Sequence, residues 1–305
     1  MRRLILRRLW QAVLVLFVVS ILSFFLVYLS GDPIRALVPM DATPEDVENI
    51  KVQFGLDRPI PIQYITFIKQ ALKGDLGDSF RYRQESLTLV LQRLPTTLLL
   101  VSATILIAVC ISIPLGVFTA VRKDTGYDYW GTVVSLVGIS VPGFWAGILL
   151  ILFFADYLRV LPPSGKDGLS HLILPATANS LHIIGLLTRL TRSTMVEELG
   201  KGYVVALRSK GLPRWMIQYK HALKNSLIPI VTVVGLQFGA LLGGSVIIET
   251  VFAWPGVGWL LFSAITMRDL PLIRAAVLAI ALLFVIINLV VDILYALIDP
   301  KIRYA

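Results

Sequence analysis

The sequence predicts an all-α integral membrane protein with about six transmembrane helices, on three observations. Hydrophobic residues make up 56% of the 305 and charged residues only 15%, against about 25% charged in a soluble domain. Six apolar runs, roughly 9–30, 95–121, 130–155, 171–191, 226–250 and 273–298, each reach the ~20 residues that a helix needs to cross the hydrocarbon core. None of them alternates apolar and polar residues as a barrel strand must, so their backbone amides have to pair within helices.

The first run follows Arg2, Arg3, Arg7 and Arg8, as a secretory signal would. Its apolar stretch is too long for a cleavable core, and Ser30-Gly31-Asp32-Pro33 lacks a small-residue cleavage site, so residues 9–30 read as a retained anchor. Residues 1–93 therefore comprise that anchor and a polar segment, 31–93. Thr43-Pro44-Glu45-Asp46 starts a helix in it, with a hydroxyl cap, proline in the first turn and carboxylates at the positive dipole end; Gly55 can stop it. Ile62, Ile65, Ile68 and Leu72 recur at helical spacing. Gly74, Gly77, Asp75, Asp78, Arg81 and Arg83 then form a loop, either a connector or a docking surface for a partner.

The remaining five runs lie in a membrane core, 94–298, ahead of a short tail, 299–305. Between the last two runs, Thr250 to Trp259 is aromatic and rich in turn residues. It is an interfacial anchor, or a re-entrant turn buried in protein. Gly235, Gly239 and Gly243 share one face of the fifth run and predict close helix packing, within the chain or against a second subunit. Asp292, inside the sixth run, is a functional candidate or a hydrogen-bonding partner for a neighbouring helix.

Lys and Arg set the orientation. With both termini cytoplasmic, sixteen of the 28 face inward, and eight of the other twelve sit in the polar segment of about 64 residues after the first helix, too long for its charges to govern topology. Both ends are expected in the cytoplasm and that segment outside. The net charge of +9 then reflects membrane orientation, with no nucleic acid implied. The single cysteine, Cys110, excludes a disulfide framework and a cysteine metal site.

Enzyme constellations are missing. His171, His182 and His221 have no metal-ligand spacing, and Ser140 precedes Val141-Pro142 with no nucleophile-elbow pattern. Gly165-Lys166 is followed by Asp167 and Gly200-Lys201 by Gly202, so neither makes a phosphate-binding loop. The chain is expected to bind no cofactor and no metal, and to hydrolyse no ATP itself.

Segment 192–225 carries charges among apolar residues at helical spacing. Tyr203 to Ser209 forms a short helix ended by Gly211, and Pro213 opens a second one leading into the fifth run. Two short helices joined at a glycine make a protruding knob; the alternative is a solvated basic loop.

These residues resemble a known family. Tyr203-Val-Val-Ala206-Leu-Arg-Ser-Lys210-Gly211-Leu212-Pro213 with His221-Ala-Leu-Lys-Asn-Ser-Leu-Ile-Pro229 is similar to the EAA coupling loop of type I ATP-binding-cassette (ABC) importer membrane subunits, in the dipeptide, oligopeptide and nickel permease branch. Similar too are Phe54 to Pro59, Gly74 to Phe80, Arg93 to Thr97, Gly244 to Glu249 with Trp254 to Gly258, and Val291 to Pro300, in family order. Two positions depart: Val205 where glutamate is frequent, and Leu207 where peptide permeases carry arginine.

The resemblance implies a second homologous permease subunit in a heterodimer, two cytoplasmic ATPase subunits holding ATP and magnesium, an extracytoplasmic binding protein, and a bilayer around the whole. Tyr203, Ala206, Lys210, Gly211, Leu212 and Pro213 would dock into an ATPase cleft. Asn179, Ser180, Gln237 and Ser245 are candidates to line the substrate pathway, or hydrogen-bonding groups of the core. The expected cargo is a di- or oligopeptide or a related small solute. A secondary transporter or channel is the alternative; it needs midplane coupling groups, which the runs lack.

Overall fold

The computed structural model describes residues 2–29, 45, 48, 52 and 57–298, and among these every regular element is a helix. Of the helix expected between Thr43 and Gly55 only Glu45, Glu48 and Val52 are described, each helical; the tail 299–305 lies outside the described residues, as does the side chain of Asp292. Four helical stretches are long and apolar enough to cross a membrane: Ser86–Val121, Leu169–Leu199, Met216–Gly244 and Leu270–Val291. A bent pair, Gly126–Ser140 and Gly143–Tyr157, makes a fifth if counted as one span.

That bend corrects the expectation of one helix over 130–155: the two arms meet at 98°. Pro142 is the reason. It has no N–H to donate and its ring pushes Val141 out of the helical region, to φ −76° and ψ 121°. The fifth run also divides, because its helix stops at Gly244 and a separate short helix covers Val246–Val251.

The chain forms two compact units, residues 1–97 with 255–285, and residues 98–254 with 286–305. In the first, helices α1 (Arg2–Leu29) and α2 (Ile60–Ala71) meet through aromatic rings, Phe24 lying edge-on 5.4 Å from Tyr64 and tilted 5.9 Å from Phe67 between ring centres. The Arg274 guanidinium stacks 4.9 Å over Phe24 and 5.2 Å over Phe67, an attraction of cation to ring face that gains strength away from water. Buried Asp269 caps the last helix of the chain. It accepts from the Ser79 hydroxyl, from Phe80 N and Arg81 N at 3.2 Å each, and from Leu272 N at 3.4 Å. One carboxylate thus pins the polar loop 74–85, whose register depends on left-handed Gly74 and Gly77.

The second unit is built on α3 (Ser86–Val121), which enters it at residue 98, and on α4 (Gly126–Ser140), α5 (Gly143–Leu150, prolonged by a π-helical turn to Tyr157) and α6 (Leu169–Leu199). Glycines let these helices touch at backbone distance. A Cβ on Gly185 of α6 would overlap the Ser135 carbonyl of α4 and lie 3.0 Å from Ile139 N; one on Gly138 would lie 3.0 Å from the Leu181 carbonyl. The Asp128 carboxylate of α4 takes a two-pronged ion pair from Arg192 of α6, with the Asp124 amide adding a bond of 3.0 Å. Trp254 is 1% exposed, packed with Leu100, Leu172, Leu174 and Phe252. The aromatic turn is therefore anchored in protein, not by Trp254 at a lipid interface.

Candidate functional site

Two features stand out in the second unit: a short helical knob and a largely apolar cleft holding a few polar side chains. Helix α6 runs on to Leu199, so the knob is shorter than the expected 192–225 and occupies about 200–222. It consists of α7 (Gly202–Ser209), a turn, and a π-helical stretch, Met216–Ala222, that leads into α8 (Leu223–Gly244).

The turn is a Schellman cap. Gly211 N donates to the Arg208 carbonyl at 2.9 Å and Leu212 N to the Leu207 carbonyl at 3.2 Å, while Gly211 holds φ +75°. Those bonds satisfy carbonyls that the helix end leaves free, and they require the left-handed residue to be glycine or one of few substitutes. Pro213 follows, and its carbonyl accepts from Met216 N at 3.0 Å and Ile217 N at 3.2 Å to start the next helix. The expected helix–glycine–helix arrangement is present.

Glu198, at the end of α6, holds the knob. Its carboxylate accepts from the Lys201 ammonium, from Tyr203 Oη at 2.9 Å and from Asn225 Nδ2 at 3.3 Å. Burial pushes the Tyr203 hydroxyl above its usual range, aided by that bond, and the bond to Glu198 raises Lys201. Lys201 therefore stays charged and Tyr203 stays a donor at physiological pH. Sequence reasoning overlooked Glu198 as a site residue. Its spacing to Lys201 is visible in the chain, but Asn225 joins only because α8 turns back. Replacing Glu198 with Ala leaves those donors without their shared acceptor; amide hydrogen exchange over 200–211 should quicken by about ten-fold while the membrane helices keep their protection.

Val204 and Ile217 are buried and seat the knob. Ala206 and Lys210 are exposed, and Val205, Trp215 and Tyr219 are 62%, 61% and 55% exposed. Arg208, Lys210, Arg214 and Lys220 are exposed as well, so the knob presents apolar and basic side chains, a mixture suited to a partner with apolar and acidic groups.

The cleft, of about 240 Å³, lies among α5, α6, α8 and α9 (Val246–Val251). Asn179 and Gln237 both line it, as does His182, which the sequence reading placed at no site. Ser180 and Ser245 do not. Both are fully buried, bonded to the Thr177 carbonyl at 2.8 Å and to Glu249 Oε1 at 3.2 Å. The glycine face of α8 divides as well: a Cβ on Gly235 would overlap Val291, Gly239 is buried, and Gly243 meets nothing within 4 Å.

The sequence matches the family described as binding-protein-dependent transport system inner membrane component over residues 112–304, and the corresponding N-terminal family over residues 1–101. The chain belongs to this family. As such it is a membrane-spanning permease subunit of an ABC importer. The permease is 39% identical over 301 residues to the glutathione transport system permease protein GsiC of Escherichia coli K12, covering 98% of each chain. The GsiC protein of Salmonella typhimurium matches to the same extent. A chain from inward-facing conformations of the MetNI methionine ABC transporter shares its fold, with a TM-score of 0.57 at 16% identity, covering 69% of the permease and 96% of that chain.

Proposed function

We propose that the permease forms half of a translocation pathway for short peptides or closely related solutes and works by alternating access. Its partners are a second, homologous permease subunit in a heterodimer, an extracytoplasmic binding protein, and two ATPase subunits that hold the ATP and magnesium. The observation that carries this reading is the exposed knob. A chain without a phosphate-binding loop needs a mechanical link to its fuel, and 200–222 is a rigidly capped, apolar-tipped projection rooted directly in α6 and α8. Nucleotide-driven closure of the ATPases would bias the two arrangements of the helices through that link. Peptide cargo is supported by the relatives' name, since glutathione is itself a tripeptide, and by the neutral amides of the cleft. Six spans with both termini and the knob in the cytoplasm complete the proposal, supported by the distribution of Lys and Arg.

Reconstitution into vesicles tests it. Alone, the permease should hydrolyse no ATP. With the binding protein, partner permease and ATPases it should take up labelled glutathione or alanine tripeptide only when ATP is on the ATPase side. Uptake that persists without ATP and follows a proton or sodium gradient would make it a secondary transporter. Labelling of residues 200–215 by an impermeant reagent from outside would remove the mechanical link altogether.

A further inference from the structure

From the cleft we infer a peptide-bond subsite on this subunit, formed by Asn179, His182 and Gln237. The inference rests on the pathway reading above and adds which residues read the cargo and which part of the cargo they read. The cleft is walled mainly by apolar groups, Phe144 and Ile247 among them, and among the described residues its lining holds no carboxylate, lysine or arginine. A charged solute terminus would lose its water there and gain no counter-charge, so the cleft disfavours the ends of a peptide. A secondary amide is neutral and asks only for one acceptor and one donor.

The three polar side chains supply those. His182 Nδ1 lies 3.2 Å from the Ile139 carbonyl, which can only accept, so this contact selects the tautomer in which Nδ1 donates and Nε2 is the acceptor. Asn179 and Gln237 each bring a carboxamide with donor and acceptor ends. Asn179 Nδ2 is buried with no hydrogen-bond partner among the described residues, and a turn of the carboxamide toward the cleft would let a bound carbonyl complete it. Asn179 and His182 lie three residues apart on α6, and hence on one face, while Gln237 approaches from α8. Gly143 and Gly244 also line the cleft and bring no side chain into it.

The assay is uptake by the complete importer of alanine tripeptide against its analogue with the central peptide bond replaced by an ester, which removes an N–H and weakens the carbonyl as an acceptor. The binding protein is the same in every vesicle, so a change in the peptide-to-ester ratio between variants belongs to the permease. Gln237→Leu and His182→Phe should lower that ratio at least three-fold while ATPase stimulation by the loaded binding protein persists. A ratio equal to wild type in both variants, in vesicles that still transport, overturns the subsite and leaves the importer reading intact. Absence of ATP-driven uptake by wild type overturns both. A second measurement leaves the polar residues untouched: Ala240→Cys, in a Cys110→Ser background, puts a thiol on the cleft wall. Alanine tripeptide should slow its labelling by a small maleimide at least three-fold, and equal labelling with and without peptide counts against the subsite.

Discussion

Gly211→Val should cut uptake sharply while leaving the permease folded in the membrane and the partner ATPases turning over. Valine at φ +75° is the worst case for this backbone, because a β-branched side chain in the left-handed region collides with its own carbonyl. The strain is on the order of 1–3 kcal/mol, and the Schellman bonds from Gly211 and Leu212 are lost if the turn rearranges to relieve it. A Cβ at Gly211 meets nothing within 4 Å, so no clash with the rest of the molecule spreads the damage. The knob alone changes shape. Uptake should fall by about ten-fold or more, as expected when a positioning element misplaces its partner by an ångström or so. Gly211→Asn separates conformation from contact, since asparagine tolerates the left-handed region and should retain most of the activity. Gly202→Ala is the control in the same knob: open space, no positive φ, wild-type uptake. Equal loss in the asparagine and valine variants would point to the exposed surface at residue 211 in place of the backbone. Wild-type uptake by the valine variant would exclude the cap from coupling.

Gly185→Val destabilises the second unit. Its Cβ would overlap the Ser135 carbonyl and crowd Ile139 N on α4, and these are backbone atoms that cannot swing aside. Helices α4 and α6 must then part along their shared length, opening the Asp128–Arg192 ion pair and the contact at Gly138. In lipid, water is not driving the helices together, so close van der Waals packing is what holds them and its loss is felt in full. Overpacking of this kind costs about 1–3 kcal/mol when neighbours can move and more when they cannot. The thermal midpoint in detergent should fall by several degrees, and folded yield with it. Gly243→Ala, with nothing within 4 Å of its Cβ, should leave the isolated permease unchanged. A midpoint equal to wild type for Gly185→Val would mean that α4 and α6 do not touch as described.

Legibility varied from element to element for physical reasons. The membrane helices were visible because an apolar run of twenty residues has few other uses, and the knob because Gly211 and Pro213 mark a helix end and a helix start within three residues. Helix ends were less legible: α6 continues through Arg192 to Leu199, since an ion pair with Asp128 and the Glu198 bonds let charged residues stay helical beyond the apolar run. The bend at Pro142 had its signal in plain view, a proline inside an apolar run, but proline also sits within continuous helix at Pro175 and Pro229, so its presence alone does not decide. Of the four polar pathway candidates, Asn179 and Gln237 reach the cleft, whereas Ser180 and Ser245 turn into the protein. Adjacent positions on a helix point about 100° apart, and only the neighbours determine which direction is core.

By itself the sequence determined that the chain is helical and membrane-embedded, where the knob's glycine turn falls, and which family it joins, because these depend on local composition and short-range order. Only the tertiary structure decided that Glu198 collects Lys201, Tyr203 and Asn225, that Trp254 is core, and that His182 meets Asn179 and Gln237 at one cleft. Those contacts join residues far apart along the chain, and their energy exists only once the helices have packed.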